Sequence, residues 1–193
     1  NNGADAALLV TPYYHRPSQE GLYQHFKLIA EGVDIPQILY NVPGRTACDL
    51  QLATIERLAQ LDNIVAIKDA SGDLARGLEL IERCGERLAI YSGEDALSLP
   101  LILAGADGTI SVTANVAPDL MSQMCASALA GNEEQARAVD SKLELLHQDL
   151  FIEANPDTFT LLEMNIRLNN VSNAICHNVA VGEKEGVIEF VRS

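Results

Sequence analysis

Ile64-Val65-Ala66-Ile67-Lys68-Asp69-Ala70-Ser71-Gly72 decides how this chain folds. An unbroken apolar run marks a strand buried on both faces, the habit of a parallel sheet covered by helices. Lys68 ends the run, and an Asp-Ala-Ser-Gly turn follows at once. A lysine there is drawn toward a dry interior, where desolvation disfavours the ammonium form and lowers its pKa. A neutral amine can attack a ketone and form a Schiff base. The plain alternative is a surface lysine paired with Asp69, since structural ion pairs also occupy strand ends.

Working outward, similar short runs recur at Ala6–Thr11, Gln37–Asn41, Leu88–Ser92 and Gly108–Val112. Amphipathic stretches separate them. Ser18 caps a helix reaching about Glu31, which Gly32 closes. Asp49 is expected to cap Leu50–Leu61, and Asp73 and Gly85 bracket the next helix. Pro118 and Asp119 open Leu120–Leu129, and Asn132 opens a long helix to about Leu150. Strand–helix units repeating every ~20–31 residues imply a parallel sheet, either open or closed into a barrel. A dinucleotide-binding open sheet carries a GxGxxG phosphate loop, and no candidate strand here is followed by one. A (β/α)₈ barrel needs no such loop and places its chemistry at the C-terminal strand ends. Polar side chains gather there: Tyr13 and Tyr14; Tyr40, Asn41 and Arg45; Lys68; Ser92, Glu94 and Asp95; Ser111 and Thr113. The fold class expected is α/β, a partial TIM (β/α)₈ barrel of about five βα units, because a full barrel takes roughly 250 residues.

Composition narrows the partners. The formal net charge of −14 argues against nucleic acid and against anionic lipid. Cys48, Cys84, Cys125 and Cys176 show no paired spacing for zinc or a redox couple and read as reduced thiols of a cytoplasmic protein. No stretch is long and apolar enough to span a bilayer, and no signal peptide is visible. The chain begins Asn1-Asn2-Gly3 without an initiator Met, as a processed form or a fragment would.

Successive strand ends make a constellation. Lys68 can be the amine. Tyr40, one strand earlier, can move protons as a buried phenol, or plug a barrel mouth. Arg45, in a Pro-Gly turn, can grip a carboxylate with its planar fork, or pair with a surface acid. Tyr13 and Tyr14 can extend a hydroxyl relay, or pack at a subunit contact. Their convergence at one end of one sheet favours an active site.

These residues stand in longer stretches: Val10-Thr11-Pro12-Tyr13-Tyr14, Pro17-Ser18-Gln19-Glu20-Gly21-Leu22-Tyr23-Gln24-His25-Phe26, Ile38-Leu39-Tyr40-Asn41-Val42-Pro43-Gly44-Arg45-Thr46, Ile67 to Gly72, and Gly108-Thr109-Ile110-Ser111-Val112-Thr113-Ala114-Asn115-Val116. In that order, up to about residue 155, the chain resembles the dihydrodipicolinate synthase branch of the pyruvate-dependent class I aldolases. The resemblance implies that Lys68 captures pyruvate as a Schiff base and that Tyr40 shuttles protons. It implies that Tyr14 is lent across a dimer interface to the partner's relay. Arg45 would bind the carboxylate of the second substrate, aspartate semialdehyde. Gly93 and Ile110 would line the pyruvate pocket with backbone groups, and Tyr13 would lie near a lysine-inhibitor site. No cofactor or metal is implied, because the lysine itself is the electron sink. A homo-oligomer built as a dimer of dimers is implied. The arginine of the Asn-Val-Pro-Gly-Arg-Thr turn is similar to the synthase, whereas sialic acid lyases and sugar-acid aldolases usually lack it.

The resemblance also implies an incomplete barrel. The family's barrel begins about three strands earlier, and the threonine pair of its proton relay falls in that part. Residues 1–153 therefore read as the C-terminal portion of an aldolase barrel. Residues 154–193 resemble a fragment of an FkbM-type, S-adenosylmethionine-dependent methyltransferase, joined at Glu153-Ala154-Asn155-Pro156, where the two families look locally alike. That tail lacks the glycine-rich loop that would cradle the cofactor. Ordinary divergence of the synthase tail is the other reading. A five-strand arc leaves two open edges, so the chain alone is expected to be poorly soluble or partly molten, as a truncated and non-catalytic chimera would be.

Overall fold

A computed structural model of the chain describes residues 3–150. The strands are β1 (Ala7–Val10), β2 (Gln37–Asn41), β3 (Ile64–Asp69), β4 (Ala89–Ser92) and β5 (Gly108–Thr109). The helices are α1 (Gln19–Gly32), α2 (Pro43–Thr46), α3 (Leu52–Leu58), α4 (Leu74–Cys84), α5 (Asp95–Leu103), α6 (Pro118–Leu129) and α7 (Glu133–Asp149). All strand pairs are parallel and run in the order β1-β2-β3-β4-β5. Among the described strands the order never reverses, so they contain no switch point of the doubly wound kind. This is an arc of a (β/α)₈ barrel.

The arc has two faces because side chains alternate along a strand. Leu39, Ile67 and Ile90 point to the helices and join Leu22, Phe26, Ile55, Leu58 and Leu80 in one core. The other face is the inside of the barrel. Its last full row, read across the sheet, is Val10, Tyr40, Lys68, Tyr91 and Gly108. On β1, Leu8 and Val10 are exposed on this inner face, since β1 has β2 as its single neighbour among the described residues. A second core joins Leu99 and Ile102 of α5 to Met121 and Met124 of α6 and to Val139, Leu143 and Leu146 of α7.

Caps at Ser18, Asp73 and Asn132 form as the sequence predicts, each side chain accepting a backbone N–H of the first turn. Two expectations change. Helix α3 starts at Leu52, not Leu50, and Asp49 does not cap it. Gln19 reaches over from α1 instead, its Oε1 accepting from Gln51 N (3.1 Å) and Thr54 Oγ1 (2.7 Å). The run Gly108–Val112 is strand for two residues only. Beyond Ile110, the N–H groups of Val112 and Thr113 turn to the carboxylate of Asp95 and leave the ladder.

No helix among the described residues is long and apolar enough to cross a membrane. No cluster of His, Cys, Asp and Glu among them could hold a metal ion. The methyltransferase-like reading of 154–193, and Cys176 with it, lies outside the described residues.

Candidate active site

Lys68 is 9% exposed at the top of the inner face. Its neighbour Asp69 points the other way, so the surface pair allowed by sequence does not form. Asp69 accepts instead from Arg76 Nε (3.1 Å), Asn41 Nδ2 (3.0 Å) and the N–H of Ser71 (3.1 Å). Among the described residues Lys68 makes no salt bridge. Its Nζ lies 4.4 Å from the centroid of the Tyr40 ring. Burial pushes its pKa below the ordinary lysine range, and the charge of Asp95 opposes that shift. The result is a desolvated amine against a phenol, facing the barrel interior.

Gly93 lies beside the lysine stem, and Ile110 directly follows β5. Gly93 N–H donates to Asp69 O (2.7 Å) and Ile110 N–H to Ser92 O (2.9 Å). A Cβ on Gly93 would stand 2.8 Å from Lys68 Cε and 2.7 Å from Ala70 Cβ. The lysine stem lies across the glycine, and no other residue leaves it that room.

Arg45 is exposed on α2 and has no salt bridge among the described residues. The helix beneath it is held by buried Thr46, whose Oγ1 donates to Val42 O (3.1 Å), and by Thr11, whose Oγ1 donates to Thr46 Oγ1 (3.3 Å). The guanidinium thus stands on a fixed base with no ion-pair partner among the described residues. Tyr13 and Tyr14 are not brought to Lys68. Tyr14 is 84% exposed and touches the His15 ring edge-on, with centroids 5.1 Å apart.

One residue and two groupings escaped the sequence reading, although Asn41, Asp95 and Thr113 were named there as strand-end polar residues. Tyr91 on β4 is in register with Lys68 on the same face. Asn41, Asp49, Asp69 and Arg76 form a charged cluster on the opposite face, with Arg76 also donating to Leu50 O (2.5 Å). Asp95, Thr113 and His147 form a third, below the β5 rim. The signal for the second was present: Asn41 and Asp69 are the last residues of adjacent strands, one position past Tyr40 and Lys68.

The profile described as the dihydrodipicolinate synthetase family matches residues 1–176. This chain belongs to that family. The family match runs past residue 153, where sequence reading sets the boundary. The 4-hydroxy-tetrahydrodipicolinate synthase of Alcanivorax borkumensis is 63% identical over 155 residues, 80% of this chain and 53% of the relative. The chain therefore spans about half the length of that relative. Among solved structures of the family, a chloride-inhibited dihydrodipicolinate synthase of Acinetobacter baumannii, complexed with pyruvate, is 55% identical with a TM-score of 0.78. That match covers 86% of this chain and 57% of the other. The dihydrodipicolinate synthase of Aquifex aeolicus is 36% identical with a TM-score of 0.83, covering 87% of this chain and 67% of the other.

Proposed function

We propose that this chain carries the lysine half of a pyruvate-dependent synthase that condenses pyruvate with aspartate semialdehyde, giving 4-hydroxy-tetrahydrodipicolinate. The observation that carries the reading is the Lys68 amine: desolvated, without an ion pair among the described residues, and set over the Tyr40 ring. Its lone pair attacks the keto carbon of pyruvate, and the carbonyl π pair moves onto oxygen. Tyr40 relays the surplus proton of the nitrogen to that oxygen, giving the carbinolamine, and a second proton from solvent lets the hydroxyl leave as water to give the iminium. Loss of a methyl proton gives the enamine. The enamine carbon attacks the aldehyde carbon of the second substrate, whose carboxylate Arg45 holds. The semialdehyde's amine then attacks the imine carbon and expels Lys68, closing the ring.

Arg45 favours this substrate over the sugar acids of the sialic acid lyases, because a planar fork pairs with a carboxylate and has less use for a polyol. Tyr14, exposed as it is, suits a residue lent to a second copy, so the working form is a homo-oligomer in the cytoplasm. Tyr13 stays with it as a candidate contact for a lysine inhibitor. Residues 154–193 retain the methyltransferase-like reading as a proposal, tested by calorimetric titration of the full chain with S-adenosylmethionine.

The test is intact mass of the full chain after pyruvate and borohydride, followed by peptide mapping. One reduced adduct on Lys68 is the expected result. Soluble protein with no adduct means that the motifs stand idle and the chain is non-catalytic. Gly93→Ala sharpens it. The added methyl collides with Lys68 Cε, and displacing a reacting atom by about 1 Å costs on the order of 10²-fold in rate. The trapping rate of that variant is expected to fall by that factor while its melting curve keeps its shape. An unchanged rate would contradict the placement of the amine.

A further inference from the structure

We propose that His147 is a positioning residue: through Thr113 it locks the β5 rim that holds the seat of the Lys68 stem. That the lock serves catalysis rests on the Schiff-base reading of Lys68; the lock itself does not.

The seat is the Gly93 turn, across which the lysine stem lies. Two bonds from the rim hold its front end: the carbonyl oxygen of Ser92 accepts from Ile110 N (2.9 Å) and from Thr109 Oγ1 (3.1 Å). Two more hold its back end. Asp95, two residues after Gly93, accepts through Oδ2 from Val112 N (3.0 Å) and Thr113 N (2.8 Å). Between these anchors the turn is stitched to itself, Ser92 Oγ donating to Glu94 O (2.7 Å). Seat and rim are therefore one hydrogen-bonded unit. A shift of residues 109–113 is passed to the surface on which Lys68 rests. Past Ile110 the rim has left the ladder, so side chains fix its place.

Helix α7 supplies the far hold. Thr113 is fully buried, and its Oγ1 shares a hydrogen bond of 3.0 Å with His147 Nδ1. His147 is 4% exposed. Its Nε2 is buried with no hydrogen-bond partner among the described residues. The Asp140 carboxylate stands 3.5 Å away, beyond the usual N–H···O range. A polar atom buried without a partner costs stability. Val139, Leu143 and Leu146 of the same helix pack in an apolar core. An apolar side chain at 147 would join that core without this cost. What the imidazole alone provides is the bond to Thr113, which extends the hold on the rim from α5 to α7.

The test is the rate of pyruvate–borohydride trapping in the full chain, at saturating pyruvate and per folded molecule. Thr113→Val keeps the shape and removes the hydroxyl; His147→Leu removes the imidazole. Each is expected to trap on the order of 10²-fold more slowly, the effect of displacing a reacting atom by about 1 Å. His147→Asn sets an amide where Nδ1 stood, and its rate is expected to lie closer to the parent than to His147→Leu. The double variant Thr113→Val, His147→Leu is expected to be no slower than the slower single, since both remove one bond. Val139→Ala lies in the same core but off this path. It is expected to melt lower and to trap at the parent rate. An unchanged rate in Thr113→Val, an equal loss in Val139→Ala, or two losses that multiply in the double variant overturns the proposal. If the variants do not fold, amide hydrogen exchange of the parent decides. The N–H groups of Gly93, Ile110, Val112 and Thr113 are expected to open together, with one common protection. Amides that open independently overturn the proposal. A parent that forms no pyruvate adduct but shows the common opening sinks the synthase reading and leaves the lock standing.

Discussion

Lys68→Met, treated with pyruvate and borohydride, is expected to return at its unmodified mass while the parent gains a single reduced adduct. The argument is one of protonation. An ordinary lysine titrates near 10.4 and holds its proton at neutral pH, leaving almost no free amine to attack a carbonyl. Burial lowers the value for Lys68, so at any pH below the ordinary range its neutral fraction exceeds that of an unperturbed lysine. Trapping in the parent should therefore rise with pH and reach its plateau below the ordinary lysine range. Stability gives an independent check through its sign. A folded-state lysine pKa below the unfolded value means that the unfolded chain binds more protons in the window between the two. Stability contributed by this group then rises with pH through that window, and its cost is present in full below the folded value. Met removes that cost while keeping the unbranched stem. Lys68→Met is expected to melt no lower than the parent at neutral pH, and the difference in its favour should shrink as pH climbs toward the unfolded lysine value. An adduct that persists in Lys68→Met, or one spread evenly over Lys27, Lys142 and Lys184, would remove the amine from its proposed role.

What the sequence made legible was local, and what it hid was carried across the sheet. The apolar runs at Gln37–Asn41 and Ile64–Lys68 name their strands because burial on both faces leaves few other readings. Ser18 and Asp73 name their helix starts because a cap acts within three residues. Asp49 looked like the same device and is not. Asn41 Nδ2 donates to it at 2.9 Å, and Arg76 lies 3.4 Å from its Oδ2. The start of α3 is tied down by Gln19, more than 30 positions before Gln51; the Oε1 of Gln19 takes the N–H of Gln51 and the hydroxyl of Thr54. No window of sequence holds that pair. The end of β5 was misread for the same reason. Gly108-Thr109-Ile110-Ser111-Val112 has strand character, but a carboxylate 17 positions upstream takes the N–H of Val112 out of the ladder.

The site divides along the same line. Lys68 and Tyr40 were legible as strand ends, and their pairing in register turns two separate residues into a phenol under an amine. Arg45 was legible as an arginine in a tight turn; that the turn is a short helix pinned by Thr11 and Thr46 required the fold. Tyr91 was passed over because a tyrosine inside a strand reads as ordinary β propensity.

Arg76→Met is expected to destabilise the chain by about 3–5 kcal/mol, the cost of leaving a buried charge without its partner. Arg76 is 14% exposed and serves three acceptors: Asp69 Oδ2, Asp49 Oδ2 and the carbonyl of Leu50. Asp69 is buried and Asp49 is not, so the penalty falls on Asp69. Its remaining donors, Asn41 and Ser71, are neutral and cannot balance a carboxylate in a dry site. The double variant Asp69→Asn, Arg76→Met removes the charge together with its partner and should recover part of the loss, so the two single costs add to more than the double one. Urea midpoints for the four chains of this cycle measure the coupling at unchanged slope. A single-variant cost under about 1 kcal/mol would place the pair among exposed salt bridges and would contradict the burial described here. The cluster sits one residue beyond Tyr40 and Lys68 on the opposite face, so it fixes the strand ends from behind. When it fails, the turn from Asp69 to Gly72 loses the anchor that points Lys68 inward. The trapping rate of Arg76→Met should then drop even where the chain remains folded, though no atom of Arg76 faces the pocket.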